Sequence, residues 1–444
     1  MVRMTQLRRS IGFWGAVAIM VGIMIGSGIF QTPPEIAKHI GSPWLTLGLW
    51  TLGGLISLCG ALTYAELATM YPHAGGVYVF LREGFGRMTA FVFGWTYLLI
   101  SKPAAAAGIA IVFASHVNTL LGVQWDVRVI TCTMLLCLTI INTFHVSLGS
   151  GVAIALTVLK TAALAAIAAL GAYFAARHAA PTPASISIAA PLWLSLAPAM
   201  SAILWTYDGW SDAGAIAEEI KDPQRRLPRV FVFGTAATAA LYVAVNAVYM
   251  GLIPLDEMRG VSTVAPLVTQ RLLGDAGATF VTLVVLVSTL GSTHGSIITG
   301  ARVSFAQARD GLLFRFLGRV SPAFGTPAVS LWFQLALSCI AVYFLETFDR
   351  MANSFVFTMW IFYGLAGAAV IVLRRKQPER QRPYRCWGYP FVPLVFIASA
   401  VAMTVLSILG NPRETLPWIG VLLAGVPVYW AWKKAGGAGA PASD

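Results

Sequence analysis

Charged residues are scarce in this sequence. Asp, Glu, Lys and Arg make up 11% of its 444 residues, whereas hydrophobic residues make up 57%. A soluble domain carries about 25% charged residues, so this composition excludes a soluble enzyme or an ordinary globular binding domain. Apolar runs of about 20 residues recur along the whole chain, and each is long enough to span a bilayer. The composition therefore predicts a membrane protein.

The apolar runs predict an all-α fold with twelve transmembrane helices. The basic start and first run resemble a signal peptide, but the run continues too far, so we expect a retained first helix. The predicted spans lie at about 11–38, 43–70, 87–115, 126–144, 150–175, 192–219, 230–252, 275–301, 327–346, 351–373, 391–409 and 416–432.

Cysteine is also rare, with five in the chain. Cys386 lies in a predicted cytoplasmic loop and the other four lie in spans, so a structural disulfide is not expected. The cysteine spacing fits no metal site, and the sequence contains no nucleophile–base pair or phosphate-binding loop. We therefore expect neither an enzyme nor a bound metal or cofactor.

Acidic residues are fewer than basic ones, 18 against 30, which gives a net charge of +12. With the N-terminus in the cytoplasm, 21 Lys and Arg fall on the cytoplasmic side and 7 on the outer side, leaving Lys102 and Lys160 inside spans. This bias follows the positive-inside rule, so no nucleic-acid partner is needed to explain the charge. It predicts cytoplasmic tails at 1–10 and 433–444 in a multi-pass protein of the cell (plasma or inner) membrane, surrounded by lipid.

Two apolar runs are interrupted at their centres. The first contains IGSGIF at 25–30, and the second contains WTYDGW at 205–210. Within a bilayer, broken backbone is tolerated only where it is buried in protein or lines a cavity. Two such breaks in corresponding halves of a chain indicate the binding site of a transporter.

The two breaks fall in predicted spans 1 and 6. Equivalent positions in the two units are therefore five spans apart. Because five is an odd number, the second unit crosses the membrane in the opposite orientation to the first. The spacing therefore predicts an inverted repeat of two five-helix units, at 11–175 and 192–373, followed by two appended helices at 391–432.

The first break suits a carboxylate. The half-helix before it ends near Met24 and Ile25. The next half-helix begins after Gly28 with free backbone N–H groups, which form an anion site at a positive helix end. Glycine permits the unwound backbone, and the Ser27 hydroxyl adds a donor. The alternative is that Gly26 and Gly28 form only a helix-packing contact; the matching second break favours the site.

The second break suits an ammonium group, because the carbonyls from Trp205 to Asp208 point inward at the end of a half-helix. An amino acid carries both groups on one carbon, so the two breaks complement its backbone. Trp205 is a candidate lid that excludes water, or else a packing residue. Asp208 is an intramembrane carboxylate, which indicates function, or else an acid held by local amides. Asp212 is expected to stabilise the following half-helix.

These residues resemble the amino acid–polyamine–organocation superfamily, and within it the L-type amino-acid transporters and the bacterial serine/threonine exchangers. The resemblance covers nearly the whole chain. It rests on both breaks and on EEIKDP at 218–223, YAEL at 64–67, GGVY at 75–78 and RPY at 382–384. It implies a LeuT-type fold with broken helices 1 and 6, and transport by alternating access.

The resemblance also implies where a substrate binds. The substrate carboxylate would meet the first break, the ammonium would meet carbonyls of both breaks, and Trp205 would act as the outer gate. The candidate substrate-binding residues are Met24, Ile25, Gly26, Ser27, Gly28, Ile29, Trp205, Thr206, Tyr207, Asp208 and Gly209.

One departure from the family concerns partners. Animal members of the branch carry a cysteine between spans 3 and 4 that is disulfide-linked to a single-pass glycoprotein. The corresponding loop here, at about 116–126, has no cysteine. We therefore expect no disulfide-linked heavy chain.

Two lysines lie within predicted spans. Lys160 lies in span 5, where in the family a lysine at the matching place occupies the spot that sodium fills in sodium-coupled relatives. By that resemblance, Lys160 replaces sodium and transport is sodium-independent, although a lysine that releases its proton would allow proton coupling. Lys102 precedes Pro103 in span 3, beside Ala105. Lys102 and Ala105 are candidates for lining the site; alternatively, Lys102 pairs with Asp208 or bonds carbonyls freed by the proline kink.

The sequence thus predicts a sodium-independent transporter that exchanges L-amino acids, with small neutral ones favoured. The alternative is a proton-coupled permease for amino acids or amines. A channel is disfavoured, because a site capped by Trp205 leaves no continuous pore.

Overall fold

The computed structural model describes residues 9, 11–144, 146–177, 185–188, 191–410 and 412–434. Most of the two predicted cytoplasmic tails lies outside the described residues, namely positions 1–8, 10 and 435–444. The described part is all-α, with one isolated bridge between Ile11 and Ile220.

The helices are numbered here in chain order. They are α1 Phe13–Met24, α2 Gly28–His39, α3 Pro43–Met70, α4 Val77–Phe85, α5 Arg87–Thr96, α6 Lys102–Leu121, α7 Val127–Phe144, α8 Val146–Arg177, α9 Leu192–Tyr207, α10 Asp212–Ala215, α11 Pro223–Leu252, α12 Leu255–Met258, α13 Ala265–Leu273, α14 Asp275–Arg309, α15 Ala328–Leu345, α16 Phe348–Lys376, α17 Phe391–Gly410 and α18 Pro412–Lys434.

Eleven helical segments of the described chain are long and apolar enough to cross a membrane. One combines α1 with α2, and another joins α5 to α6 through a π-helical turn at Tyr97–Ser101. The predicted sixth span is a shorter apolar helix, α9, of 16 residues. The chain is therefore a multi-pass all-α membrane protein, whereas the count of twelve spans and the inverted repeat stay predictions.

The first span is interrupted within its buried centre. α1 ends at Met24, the Gly26 N–H turns back to the Met24 carbonyl at 2.8 Å, and α2 begins at Gly28. α1 packs against α8, α11 and α14. The carbonyl end of α1 and the N–H end of α2 therefore both stop inside the protein, which is the only place where lipid-embedded backbone can be left open.

The second interruption follows α9. Asp208 is extended, with φ −65° and ψ 156°, and Gly209 has φ +114°, a conformation that glycine adopts more readily than other residues. A Cβ on Gly209 would lie 2.8 Å from an Ile23 side-chain carbon and 2.9 Å from the Met24 nitrogen. The two breaks therefore touch each other.

Three long helices surround the two breaks. α14 packs against α1, α6 and α10, and α16 packs against α6 and α9. Side chains from α6, α14 and α16 can therefore complete a site whose backbone comes from α1, α2, α9 and α10.

Candidate functional site

A small buried cavity of about 30 Å³ lies between the two breaks. Both breaks contribute to its lining, together with α6, α14 and α16. The lining residues are Ile23, Met24, Gly26, Ser27, Gly28, Lys102, Ala105, Ile109, Trp205, Thr206, Asp208, Asp212, Ser296 and Phe355.

The structure brings most of the predicted site residues together at this cavity, including Lys102 and Ala105. Four of the predicted residues do not line it. Ile29 and Tyr207 point into the apolar core, and the Tyr207 hydroxyl donates to the Trp50 carbonyl at 3.0 Å. Gly209 packs against the first break. Ile25 contributes only its carbonyl, which Lys160 binds.

The first break presents unused donors to the cavity. The Ser27 hydroxyl is buried and has no hydrogen-bond partner within the described part of the chain. A buried polar group without a partner costs about 1–3 kcal/mol, so this hydroxyl favours a ligand. The first N–H groups of any α-helix are also unsatisfied within that helix, and those of α2 begin at Gly28. The break therefore offers an anion site.

The carbonyl of Met24 is already occupied. It accepts hydrogen bonds from the Tyr242 hydroxyl at 2.6 Å and from the Gly26 N–H at 2.8 Å. A substrate ammonium would therefore have to compete with these two donors for the Met24 carbonyl. Tyr242 lies on α11, and no motif in the sequence indicated that it reaches the break.

Lys160 holds the carbonyl end of α1. Its Nζ donates to the carbonyls of Gly22 at 2.5 Å and Ile25 at 2.6 Å. It also lies 3.1 Å from Ser292 Oγ and 3.4 Å from the Ser288 carbonyl, and it is fully buried. A cation at the C-terminal end of a helix complements the helix dipole. Lys160 thus neutralises the open carbonyls and ties α8 to α1 and α14.

Ser288 and Ser292 were not singled out from the sequence. Their hydroxyls both donate to the Ile25 carbonyl, at 3.1 and 2.9 Å. They are four residues apart on α14, so they share one helix face. That spacing was the available signal, but serines also occur at ordinary packing contacts between membrane helices.

Asp208 lines the cavity with a carboxylate that accepts a hydrogen bond from the Tyr363 hydroxyl at 2.7 Å. Lys102 lies against Asp212, a different carboxylate from the partner considered in the sequence. Its Nζ lies 3.2 and 3.3 Å from the two carboxylate oxygens of Asp212. Asp212 is the first residue of α10, where a carboxylate also complements the helix dipole.

Trp205 closes one side of the cavity with apolar surface. Its ring packs edge-on against Phe348 at 5.7 Å and Phe355 at 5.2 Å between ring centroids. Both phenylalanines belong to α16, so the contact joins α9 to α16. Phe355 also lines the cavity, although no sequence pattern distinguishes it from the other phenylalanines among the 24 in the chain.

Replacing Trp205 by alanine is expected to raise the apparent KM for substrate by about tenfold, because water then enters the cavity and competes for its polar groups. The measurement is uptake at a series of substrate concentrations in proteoliposomes. Trp193→Ala is the matched control, since Trp193 lies on the same helix but is 57% exposed. Equal KM values for the two variants would remove Trp205 from the site.

The described residues offer no alternative chemistry at this site. Within them, no three His, Cys, Asp or Glu side chains lie close enough to hold a metal ion, and the five cysteines are free thiols. The cavity supplies donors, acceptors and apolar walls, which can bind a small molecule.

Broken membrane helices whose ends meet at a buried cavity are typical of secondary transporters. The chain belongs to the amino acid permease family, whose profile matches residues 11–430, and so to the amino acid–polyamine–organocation superfamily. This is a family of transporters and not of enzymes.

Curated relatives extend over nearly the whole chain. The serine/threonine exchanger SteT of Bacillus subtilis is 31% identical over 96% of this chain and 98% of its own length. The human cystine/glutamate transporter is 30% identical over 97% of this chain and 87% of its own length. The mouse b(0,+)-type amino acid transporter 1 is 29% identical over 97% and 89%, respectively.

Proposed function

We propose that the protein exchanges L-amino acids across the cell membrane by alternating access, independently of sodium. One observation carries the proposal. The unpartnered Ser27 hydroxyl, the N-terminal end of α2 and the Asp208 carboxylate share a single buried cavity. Such a cavity complements a molecule that carries a carboxylate and an ammonium close together.

The substrate backbone is expected to bridge the two breaks. Its carboxylate accepts hydrogen bonds from Ser27 and from the N–H groups at the start of α2. Its ammonium binds at the second break, where the Asp208 carboxylate and the Trp205 carbonyl are acceptors. This assignment uses the Asp208 carboxylate and leaves out the Met24 carbonyl, which already has two donors.

The remaining lining favours a small neutral side chain. Ala105 and Ile109 from α6, Ser296 from α14 and Phe355 from α16 line the cavity beyond the two breaks. The two charges of Lys102 and Asp212 offset each other. The exchange of serine and threonine, named for the Bacillus subtilis relative, agrees with a site of this character.

Sodium independence rests on Lys160. Its ammonium occupies the carbonyl end of α1, where a bound sodium ion would need the same oxygen ligands. A fixed cation leaves no place for a sodium ion, and the Bacillus subtilis relative is named as an exchanger. Exchange is therefore the mode we propose.

A proton-coupled permease for amino acids or amines is the second candidate. It is favoured by Asp208, which lines the cavity and has no ion-pair partner among the described residues. A carboxylate in that position could bind a proton or an ammonium group in turn. This candidate predicts accumulation driven by an inward proton gradient.

The surroundings of the transporter complete the proposal. We place both termini in the cytoplasm, with the helices grouped as two inverted five-helix units and two appended helices in the lipid of the cell membrane. The predicted loop at 116–126 contains no cysteine. We therefore expect the chain to act without a disulfide-linked heavy chain.

Competition by substrate analogues tests the proposed site. Uptake of a radiolabelled neutral amino acid into proteoliposomes of the purified protein is measured in the presence of an unlabelled competitor. The competitors, tested one at a time, are the same amino acid, its methyl ester, its decarboxylated amine and its deaminated acid. The intact amino acid should compete at least about tenfold better than any analogue, because each analogue leaves one break unpartnered. Equal competition by the amine would favour an amine permease.

A further inference from the structure

A second buried cavity adjoins the substrate cavity. The two share four lining residues, Lys102, Asp208, Asp212 and Phe355. The second cavity extends from there to Gly75 and Gly76, in the turn before α4, and to Ala215 at the end of α10. The ion pair of Lys102 with Asp212 therefore lies where one cavity meets the other.

The ion pair joins two elements that differ in size. Lys102 begins the 20-residue helix α6, and Asp212 begins α10, which has only four residues. Their side chains are 6% and 8% exposed, and the Lys102 ammonium also lies 5.7 Å from the centre of the Tyr97 ring. The pair thus connects a spanning helix directly to the four-residue helix that follows the second break.

Irregular backbone flanks both members of the pair. Lys102 follows the π-helical turn Tyr97–Ser101 and precedes Pro103, which has no N–H to donate. Asp212 follows the turn at Gly209. π-Helical turns occur frequently at functional sites. The backbone beside each member of the pair is therefore less regular than in the surrounding helices.

The segment at 212–219, which begins with α10, closes the far end of the second cavity through its contacts. The Gly75 N–H donates to the Ala215 carbonyl at 3.4 Å, and the Ala74 N–H donates to the Glu218 carboxylate at 3.1 Å. Arg302 on α14 forms an ion pair with Glu219. Opening the second cavity requires the 212–219 segment to move, and that movement separates Asp212 from Lys102.

We propose that the Lys102–Asp212 ion pair is the gate between the substrate cavity and this second cavity, and that it keeps exchange coupled. This inference rests on the proposed function. The intact pair holds α10 against α6 and blocks passage when the site is empty. A bound substrate brings its own ammonium to Asp208, next to the ion pair. The added charge changes the electrostatic interactions that keep the gate closed.

Removing one member of a buried ion pair leaves the other charge unpaired, which is strongly unfavourable. In Lys102→Met, Asp212 and Asp208 are two carboxylates facing the same cavities without a cation. In Asp212→Asn, Lys102 loses its partner. Both variants should therefore populate the open arrangement without substrate, whereas Lys102→Arg keeps the pair and should keep the gate.

Efflux from preloaded proteoliposomes measures this gate. Radiolabelled amino acid is trapped inside, and its loss is followed with and without unlabelled amino acid outside. We expect Lys102→Met and Asp212→Asn to raise the loss into substrate-free buffer by about tenfold, while Lys102→Arg stays close to the unmodified protein. Lys38→Met is the control, because it breaks an ion pair with Glu35 whose lysine side chain is 50% exposed.

Two results would overturn the gate. One is an unchanged ratio of exchange to leak in both charge-removing variants. The other is an equal fall in exchange and leak, which indicates a structural role only. If the unmodified protein shows no exchange at all, the proposed function fails whatever the variants do.

A chemical measurement tests the gate independently of transport. Ala105→Cys places a thiol in the substrate cavity, and its modification by a water-soluble thiol reagent is followed by mass spectrometry of the purified protein. Adding Lys102→Met should speed this modification at least about fivefold, whereas adding Lys38→Met should not. Equal rates in the two backgrounds would contradict the gate even if the protein proved not to exchange amino acids.

Discussion

Lys160→Met should lower the rate of amino-acid exchange by about a hundredfold. Methionine fills similar space but cannot donate, so the carbonyls of Gly22 and Ile25 lose the ammonium that binds them at 2.5 and 2.6 Å. Each hydrogen bond from a charged group contributes about 1.5–3 kcal/mol, and a factor of ten in rate corresponds to about 1.4 kcal/mol. Loss of the two shortest contacts therefore supports a loss of this size.

The measurement is the initial rate of exchange in proteoliposomes containing equal amounts of each variant. Leu159→Met is the control, because Leu159 is the preceding residue on α8 and is 50% exposed. A rate within about threefold of the unmodified protein would show that the break at α1 holds its shape without the ammonium. Retained exchange with loss of proton-driven accumulation would instead favour the proton-coupled permease.

Gly28→Ala should weaken substrate binding by between about tenfold and a hundredfold. A Cβ at this position would meet the Thr206 hydroxyl and would lie 2.8 Å from the Thr206 Cβ and Cγ2 atoms. Thr206 cannot turn away freely, because its hydroxyl lies 2.7 Å from that of Thr32 and donates to the Ala202 carbonyl at 2.9 Å. The added methyl group therefore pushes α2 away from α9 and separates the two breaks.

Binding of radiolabelled amino acid to purified protein checks this expectation directly. Gly48→Ala is the control, since a Cβ on Gly48 meets nothing within 4 Å. Overpacking of a buried contact typically costs about 1–3 kcal/mol, so the variant should still fold. Unchanged binding by correctly folded Gly28→Ala would mean that the ligand does not need the close approach of the two breaks.

The fold could be predicted from the sequence largely because the bilayer constrains it. Apolar runs of the required length, with most charges near their ends, indicate helices with little ambiguity. Both interruptions were predictable for the same reason, because glycine and polar residues at the centre of a span need an explanation. The short α9 and the π-helical turn before Lys102 were not predictable, since apolar composition does not fix helix length or register.

The site was less predictable than the fold. Residues at the breaks could be found because a broken backbone has its own sequence signal. Partners from other helices could not, because uniformly apolar helices do not reveal which face points inward. Tyr242, Ser288, Ser292 and Phe355 were missed for that reason. The pairing of Lys102 with Asp212 was missed because it depends on how α10 packs against α6.

The measurement that tests the central claim most directly is uptake of a radiolabelled amino acid into proteoliposomes of the purified protein, under four conditions. The vesicles are empty, or loaded with unlabelled amino acid, or empty with an inward sodium gradient, or empty with an inward proton gradient. For a sodium-independent exchanger we expect substantial uptake only into loaded vesicles, with no effect of sodium. Uptake into empty vesicles driven by either ion gradient would contradict this expectation.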